Sequence, residues 1–444
     1  MLKKIFVILI VFISSSAFTQ SLIGDGAALV LSGGGARGAY EIGVWKALTD
    51  LNIKISGVYG TSVGSINGPG IIMNDYKKVR DLWFKISYLT VMNISPSTEE
   101  VLKGESKGLS FNEYMKVIRD FRADKGFDVT PLKNLLSGII IEDEVRKSNI
   151  DYGLVMFSLS DFKPGMHYIE QIPKGKLIDY ILASANFPLF QRQVIGGEIF
   201  IDGGVYSNVP VEMAIKRGFK DIIVVDIGIT TPVDIINHFK LTNDKSIKYT
   251  YIKPEKQFGS FLTFEPETSR KYLLEGYLDT MRIYKQLGGK EYYIYGLKDV
   301  IRNMFDCMDE EKQNKALAIL GIKEKKYKRV KDRYNDLVLP LFKLILFSDF
   351  SSSAGSTSLC LLEKLAEKSG IERLSPYTQK ELLEKTLAGI RDDWSSVSFF
   401  DYISRLRYRK IVSFLRFLNF NSPCAGTVPE GYDNFLLWYK NLLE

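Results

Sequence analysis

The sequence predicts an α/β protein in which a mainly parallel sheet is covered by helices on both faces, followed by a helical C-terminal region. Three observations carry this. Between Ala27 and about Gly228, short apolar runs alternate with stretches of helical spacing, the pattern of strands joined by crossover helices. Beyond about Gly288 the chain is rich in Lys, Leu and Glu, poor in strand patterning, and broken at Pro340, Gly355, Pro376, Pro423 and Pro429. The 444 residues suit two to three domains at ~150 residues each, and 45% of them are hydrophobic, enough to build cores.

In chain order, Lys3 and Lys4 precede nine apolar residues, Ile5 to Ile13, and then a small polar stretch, Ser14 to Gln20. Nine residues are too few to span a bilayer, which needs about 20, but suit the core of a secretory signal peptide cleaved near Ala17 or Thr19. Residues 1–20 are therefore expected to be an export signal, placing the protein in the periplasm, in the envelope or outside the cell; an uncleaved N-terminal anchor is the alternative. Ala27 to Ser32 is a strand candidate, and a glycine turn leads into a helix with Tyr40, Val44, Ala47, Leu48 and Leu51 on one face. Val58-Tyr59-Gly60 ends a second strand, and Gly153 to Leu159, Glu198 to Ile201 and Ile222 to Ile227 read as further ones. Leu177 to Ala185 and Val211 to Arg217 have helical spacing. The stretch from about Ile71 to Ile150 is helix-rich and reads as a cap or insertion. The domains expected are 26–288 and a helical region, 289–444, of unassigned role.

Composition narrows the chemistry. Charged residues make up 25% and aromatics 12%, with 36 glycines and 14 prolines, which excludes collagen-like and wholly disordered classes. The net charge of +7, or +5 without the two leader lysines, favours anionic surfaces such as phospholipid head groups and is too small to argue for nucleic acid. Three cysteines, Cys307, Cys360 and Cys424, allow at most one internal disulfide and resemble no metal knuckle. Only two histidines occur, His167 and His238.

Three motifs converge on one reaction. Ser32-Gly33-Gly34-Gly35-Ala36-Arg37-Gly38 lies between a strand and a helix, where backbone amides and the helix N-terminus favour a negative group. Gly33, Gly35 and Gly38 match the dinucleotide fingerprint G-x-G-x-x-G, but the acidic residue expected about 20 positions on is replaced by Gly60-Thr61-Ser62, and no Gly-Lys-Ser/Thr follows for a phosphate loop. Gly60-Thr61-Ser62-Val63-Gly64 is a G-x-S-x-G nucleophile elbow, in which small neighbours permit a sharp strand-to-helix turn. Asp202-Gly203-Gly204 directly follows an apolar strand. A serine nucleophile needs a base within hydrogen-bond reach, and neither histidine has a suitable context, so a partly buried carboxylate is the candidate.

Together these motifs resemble the patatin-like phospholipase family, in a bacterial-type exported form. The likeness rests on Gly33 to Gly38, Gly60 to Gly64 and Asp202-Gly203-Gly204, with Ala183-Ser184-Ala185-Asn186-Phe187-Pro188 and Asn208-Val209-Pro210 in agreement. It covers about Ala27 to Met281, where Phe261 to Met281 is similar to the closing helix, and does not reach the C-terminal part. The resemblance implies a three-layer α/β/α fold and a serine-dependent lipid acyl hydrolase needing no metal or organic cofactor. Ser62 would attack the ester and Asp202 would move its proton. The oxyanion loop would comprise Gly33, Gly34, Gly35, Ala36, Arg37 and Gly38, with the amides around Gly34, Gly35 and Ala36 as donors. Gly60, Gly64, Gly203 and Gly204 would support the turns. Arg37 could support the oxyanion, meet a lipid phosphate or form a structural ion pair. The competing reading is a non-catalytic lipid-binding or regulatory protein on the same fold.

Lys323 to Arg333, followed by the apolar run Leu337 to Phe347, and the stretch Phe399 to Phe420, with Arg405, Arg407, Arg409, Lys410 and Arg416, are basic and amphipathic. They are candidates for peripheral membrane contact or for the solvated faces of buried helices.

Overall fold

The computed structural model describes residues 25–103, 126–296, 298–323, 330–346, 354–390, 401–422, 424 and 429–443. The leader reading over residues 1–20 and most of the basic run Lys323 to Arg333 fall outside them. The chain divides into two units, Met1–Thr280 and Met281–Glu444. No helix among the described residues is long and apolar enough to cross a membrane.

The first unit is built on one eight-stranded sheet. Its strands are β1 (Ala27–Leu31), β2 (Ile55–Thr61), β3 (Asp151–Ser158), β4 (Lys163–Tyr168), β5 (Gln193–Ile195), β6 (Glu198–Asp202), β7 (Asp221–Val225) and β8 (Lys248–Ile252). They run in the order β5-β6-β3-β2-β1-β7-β8, with β4 also paired to β3. The run β3-β2-β1-β7-β8 is parallel throughout, while β4 and β6 meet β3 antiparallel. The central strand β1, Ala-Ala-Leu-Val-Leu, is buried at every residue, as a parallel strand covered on both faces requires. Gly196 and Gly197, both at positive φ, make the two-residue turn from β5 to β6 and so deliver Asp202 to the end of β6.

Helices Ala39–Asp50 and Val63–Ile72 follow β1 and β2, and both start at the carboxyl ends of their strands, where ligands bind in open α/β sheets. Helix Ala39–Asp50 is fastened to helix Pro266–Ile283 by two buried tyrosines whose hydroxyls donate to carboxylates, Tyr40 to Asp279 (2.8 Å) and Tyr277 to Asp50 (3.0 Å). The insertion between β2 and β3 carries helices Tyr76–Phe84, Tyr88–Val91, Pro96–Lys103, Thr130–Ile139 and Glu142–Lys147.

The second unit is mainly helical around a core that includes Phe305, Tyr334, Phe342, Leu361, Leu382 and Phe414. It also contains a short parallel ladder, β9 (Tyr293–Tyr295) against β10 (Pro376–Thr378), which the helical expectation omitted; three residues each are too few for an alternating pattern to register. One oxygen of the buried Glu363 accepts from the amides of Lys290, Glu291 and Tyr292 at 2.7, 3.0 and 3.0 Å, capping the entry to β9. Cys307 and Cys424 form a disulfide, leaving Cys360 free. In helix Asp401–Asn421, Ile411, Val412, Phe414, Leu415 and Leu418 pack into the core, while Arg409 and Lys410 are exposed. Between Ile411 and Leu418 the apolar side of this stretch is thus occupied by the unit's own interior.

Candidate active site

The turn from β2 into helix Val63–Ile72 places Ser62 at φ 55°, ψ −123°, a left-handed backbone that costs a non-glycine residue about 1–3 kcal/mol and persists only where its surroundings enforce it. Here the enforcement is visible. The Ser62 amide donates to Ser184 Oγ (3.0 Å), whose hydroxyl donates in turn to the Val155 carbonyl on β3 (2.6 Å). The Ser62 carbonyl accepts from the amide and hydroxyl of Ser65 at 2.9 and 2.6 Å. Ser184, on helix Leu177–Ser184, thereby ties the elbow to the neighbouring strand, a role its sequence motif does not disclose.

Gly60 and Gly64 are required by space: a Cβ on Gly60 would meet the Gly64 backbone, and one on Gly64 would meet the Leu31 carbonyl. Because both obstacles are main chain, Gly64→Ala is expected to destabilise the first unit by about 1–3 kcal/mol and to cut any serine-dependent activity further by moving Ser62; thermal unfolding and turnover check this.

Asp202 closes β6 opposite Met156 of β3. Its amide donates to the Asn186 carbonyl (2.9 Å), and its Oδ1 accepts from the Gly204 amide (2.8 Å). The carboxylate is buried and lies within hydrogen-bonding reach of the Ser62 hydroxyl; burial pushes its pKa up to about 6, against the opposing pull of the Ser62 and Gly204 bonds. It therefore remains ionised at neutral pH while being a stronger base than an ordinary carboxylate. The histidines lie elsewhere. His167 sits on β4 with its ring against Tyr180 and its pKa lowered by burial, and His238 Nδ1 bonds the Tyr249 hydroxyl at 2.8 Å.

The amides of the glycine loop differ in their partners. The Gly33 amide donates to Asn208, at Oδ1 (3.1 Å) and at the carbonyl (3.2 Å), and the Asn208 side-chain amide returns a bond to the Gly33 carbonyl (3.0 Å). The Ala36 amide is taken by the Phe261 carbonyl (2.8 Å), and that of Arg37 faces the Gly34 carbonyl (3.3 Å). Among the described residues, only the Gly34 and Gly35 amides of the 33–37 stretch have no acceptor within the fold, so Ala36, one of the donors the sequence suggested, is engaged. Gly38 is held through its carbonyl, which accepts from Asn67 Nδ2 (2.9 Å). That same amide group also donates to the buried Glu41 (2.7 Å), and Asn67 Oδ1 accepts from the Trp83 indole (3.0 Å). Arg37 forms no ion pair among the described residues: its guanidinium reaches the Ile227 carbonyl (3.3 Å) and Gln257 (3.1 Å), and its Nε is buried without a partner.

Asn208 is itself positioned by Asp234, a residue the motifs did not flag. The Asp234 carboxylate accepts from the Asn208 amide (3.1 Å), the Val209 amide (3.1 Å), the Ser207 hydroxyl (3.1 Å) and both the amide and hydroxyl of Thr231 (2.8 and 2.7 Å). The available signal was Thr231-Pro232-Val233-Asp234, a capping pattern at a helix start.

Ser62, Asp202, Arg37, Asn208 and Gly33–Gly35 face a cavity of about 360 Å³. Its other walls are apolar or glycine. Leu82, Trp83, Ile86, Val91, Leu132 and Leu136 come from the insertion, and Phe187, Phe190, Phe261 and Phe264 from later loops. The cap read from the sequence therefore supplies much of an apolar wall beside a serine and a carboxylate.

A family model described as Patatin-like phospholipase matches residues 29–215, which hold β1, the glycine loop, the serine elbow and Asp202. This segment matches the patatin-like phospholipase domain. The chain is similar to "Patatin-like phospholipase domain-containing protein 7" of Mus musculus, 23% identical over 229 residues, covering 50% of this chain and 15% of that protein. "Lysophospholipase NTE1" of Kluyveromyces lactis is 29% identical over 214 residues, covering 47% of this chain and 13% of its own. The chain thus spans a small fraction of the length of these relatives, and the likeness is confined to about half of it. Among solved structures, VipD from Legionella pneumophila aligns over 91% of this chain and 93% of its own, with 13% identity and a TM-score of 0.34.

Proposed function

We propose that the patatin-like domain is a serine-dependent lipid acyl hydrolase that cleaves fatty-acyl esters through Ser62 and Asp202. The observation that carries this reading is the buried Asp202 carboxylate within reach of the Ser62 hydroxyl, both facing the apolar cavity. With the acyl chain in the cavity, Ser62 Oγ attacks the ester carbonyl carbon as its proton passes to Asp202. The resulting oxyanion is received by the Gly34 and Gly35 amides, donors that typically contribute a few kcal/mol each. Collapse of the tetrahedral intermediate breaks the ester bond, and Asp202 returns the proton to the departing alcohol. Water then attacks the acyl-enzyme, Asp202 accepts its proton and hands it to Ser62, and the fatty acid leaves.

The family and its relatives support a phospholipid or another acyl lipid as substrate. Purified protein is expected to release fatty acid from phosphatidylcholine vesicles and to cleave a short chromogenic ester, while Ser62→Ala does neither. Binding of fatty acid without turnover by the unaltered protein would instead identify the non-catalytic reading. His167→Ala and His238→Ala are expected to keep most of the activity. Leu136→Trp, which fills the insertion side of the cavity, is expected to lower activity on long-chain esters by about tenfold while sparing short ones, checked by kcat/KM across a chain-length series.

The proposal extends to export. The leader pattern at residues 1–20 and the Cys307–Cys424 disulfide, a bond typical of oxidising compartments, support it. Fractionation of cells expressing the chain with and without residues 1–20 tests it. The exposed Arg409 and Lys410 are candidates for peripheral contact with anionic lipid, tested by vesicle co-sedimentation with both changed to glutamine.

A further inference from the structure

The helix after β7, Pro232–Asn243, has its faces inverted. Asp234, Asn237 and Leu241 are buried at 4%, 6% and 3% exposure, whereas Ile235, Ile236 and Phe239 are 60%, 53% and 71% exposed. At 3.6 residues per turn, these three apolar side chains fall within about 100° of arc on the side away from the buried ones. Apolar residues scattered singly on a surface are ordinary, but a contiguous group marks a contact surface.

The position of this face gives it meaning. Through Asp234, the first turn of the helix is bonded to Ser207, Asn208 and Val209, and Asn208 lines the cavity. Ile229, in the segment leading into the helix, both lines the cavity and is 77% exposed; Val205, another lining residue, is 51% exposed. Exposed apolar side chains therefore stand at the cavity edge, at Val205 and Ile229, and again on the helix that begins three residues after Ile229. Lys240, exposed beside the arc, adds a cation at its flank.

From this clustering of exposed apolar side chains at the cavity edge and on the helix that follows it, we infer that Ile229, Ile235, Ile236 and Phe239 form a lipid-docking rim, which seats the cavity mouth on the surface of a bilayer. This rests on the hydrolase reading. An acyl chain drawn from a bilayer into an apolar cavity must otherwise cross water, at a cost that grows with every methylene exposed. A rim whose side chains enter the head-group boundary removes that gap, and the adjacent Lys240 suits the phosphate layer.

The test uses the full chain carrying both Ile235→Asp and Phe239→Asp, with vesicles of phosphatidylcholine and phosphatidylglycerol. Partitioning onto vesicles is expected to fall by about tenfold or more, with vesicle phospholipid hydrolysis falling in parallel, while short-ester hydrolysis and thermal unfolding stay at the unaltered level. Unchanged partitioning overturns the proposal, as does conversion of a dimer to a monomer by the same changes, which would assign the face to a second copy of the chain. In a separate variant, Phe239→Trp, tryptophan emission is expected to shift to the blue on vesicle addition and to be quenched by brominated lipid; no shift also overturns it. Both measurements are repeated on Ser62→Ala, so vesicle docking is read independently of turnover. Docking without hydrolysis by the unaltered chain would defeat the catalytic reading alone.

Discussion

Asp202→Asn is expected to remove nearly all turnover and at the same time to make the protein more stable at neutral pH. The catalytic loss follows from proton transfer: an amide cannot take the Ser62 proton, and loss of a positioned general base typically costs 10²–10⁴-fold. Ser62→Ala should fall at least as far, and the double variant little further, because the two groups act in the same step. The unaltered protein should lose about tenfold in kcat/KM for each pH unit below about 6, as the carboxylate becomes protonated. Initial rates of fatty-acid release between pH 4 and 9 measure both effects. Turnover by Asp202→Asn at the unaltered rate would exclude the carboxylate as base.

The stability gain has the opposite dependence. An unfolded Asp titrates near ~3.9, whereas burial holds the folded group near about 6. Below both values the two states carry the proton and nothing is lost. As pH rises the unfolded chain ionises first, and above about 6 the folded state bears the full cost of a buried charge, up to about 3 kcal/mol. Asparagine escapes that cost. The midpoint difference between variant and unaltered protein should therefore be small near pH 4 and large at pH 8. An equal difference at both values would mean the gain comes from packing and not from charge.

Asp234→Ala is expected to damage both stability and catalysis although Asp234 lies outside the cavity lining. Five donors end on its carboxylate, and their removal leaves buried N–H and O–H groups unpaired at about 1–3 kcal/mol each, partly relieved by relaxation, for a net loss of about 3–5 kcal/mol. Asn208 then loses its anchor, and with it the paired bonds that hold Gly33 and orient the following Gly34 and Gly35 amides. A change that only weakened folding would lower the active fraction. Displacement of oxyanion donors lowers kcat with little effect on KM in the protein that remains folded. Asp234→Asn keeps one acceptor oxygen and should recover part of kcat. Full kcat in folded Asp234→Ala would refute the positioning chain.

Features set by local sterics were legible in the sequence. Gly60 and Gly64 can only be small where the chain turns sharply around Ser62, and the apolar run of β1 records a strand covered on both faces. Asp202 was legible because it closes an apolar strand before two glycines in a chain poor in histidine. Features created by tertiary juxtaposition left no such trace. Ser184 reads as a small helical residue until β3 and the elbow flank it, and Asp234 reads as a helix cap until the 207–209 loop arrives. The loop's amides could be counted from sequence, but their engagement by Asn208 and Phe261 depends on segments some 170 to 230 residues away. The strands β5, β9 and β10 span three residues each, below the length at which alternation separates strand from turn.

The apolar wall of the cavity has an evolutionary consequence. Leu82, Trp83, Leu132 and Leu136 lie in an insertion between β2 and β3, whereas Ser62 and Asp202 stand at strand ends on either side of it in the sequence. Under the proposed hydrolase reading, reaction and substrate range would be written in separable stretches of the gene. Mutations accumulating in the insertion would then retune which acyl chains are accepted while Ser62 and Asp202 stay fixed, giving the lineage a way to follow changing lipid compositions without rebuilding its chemistry.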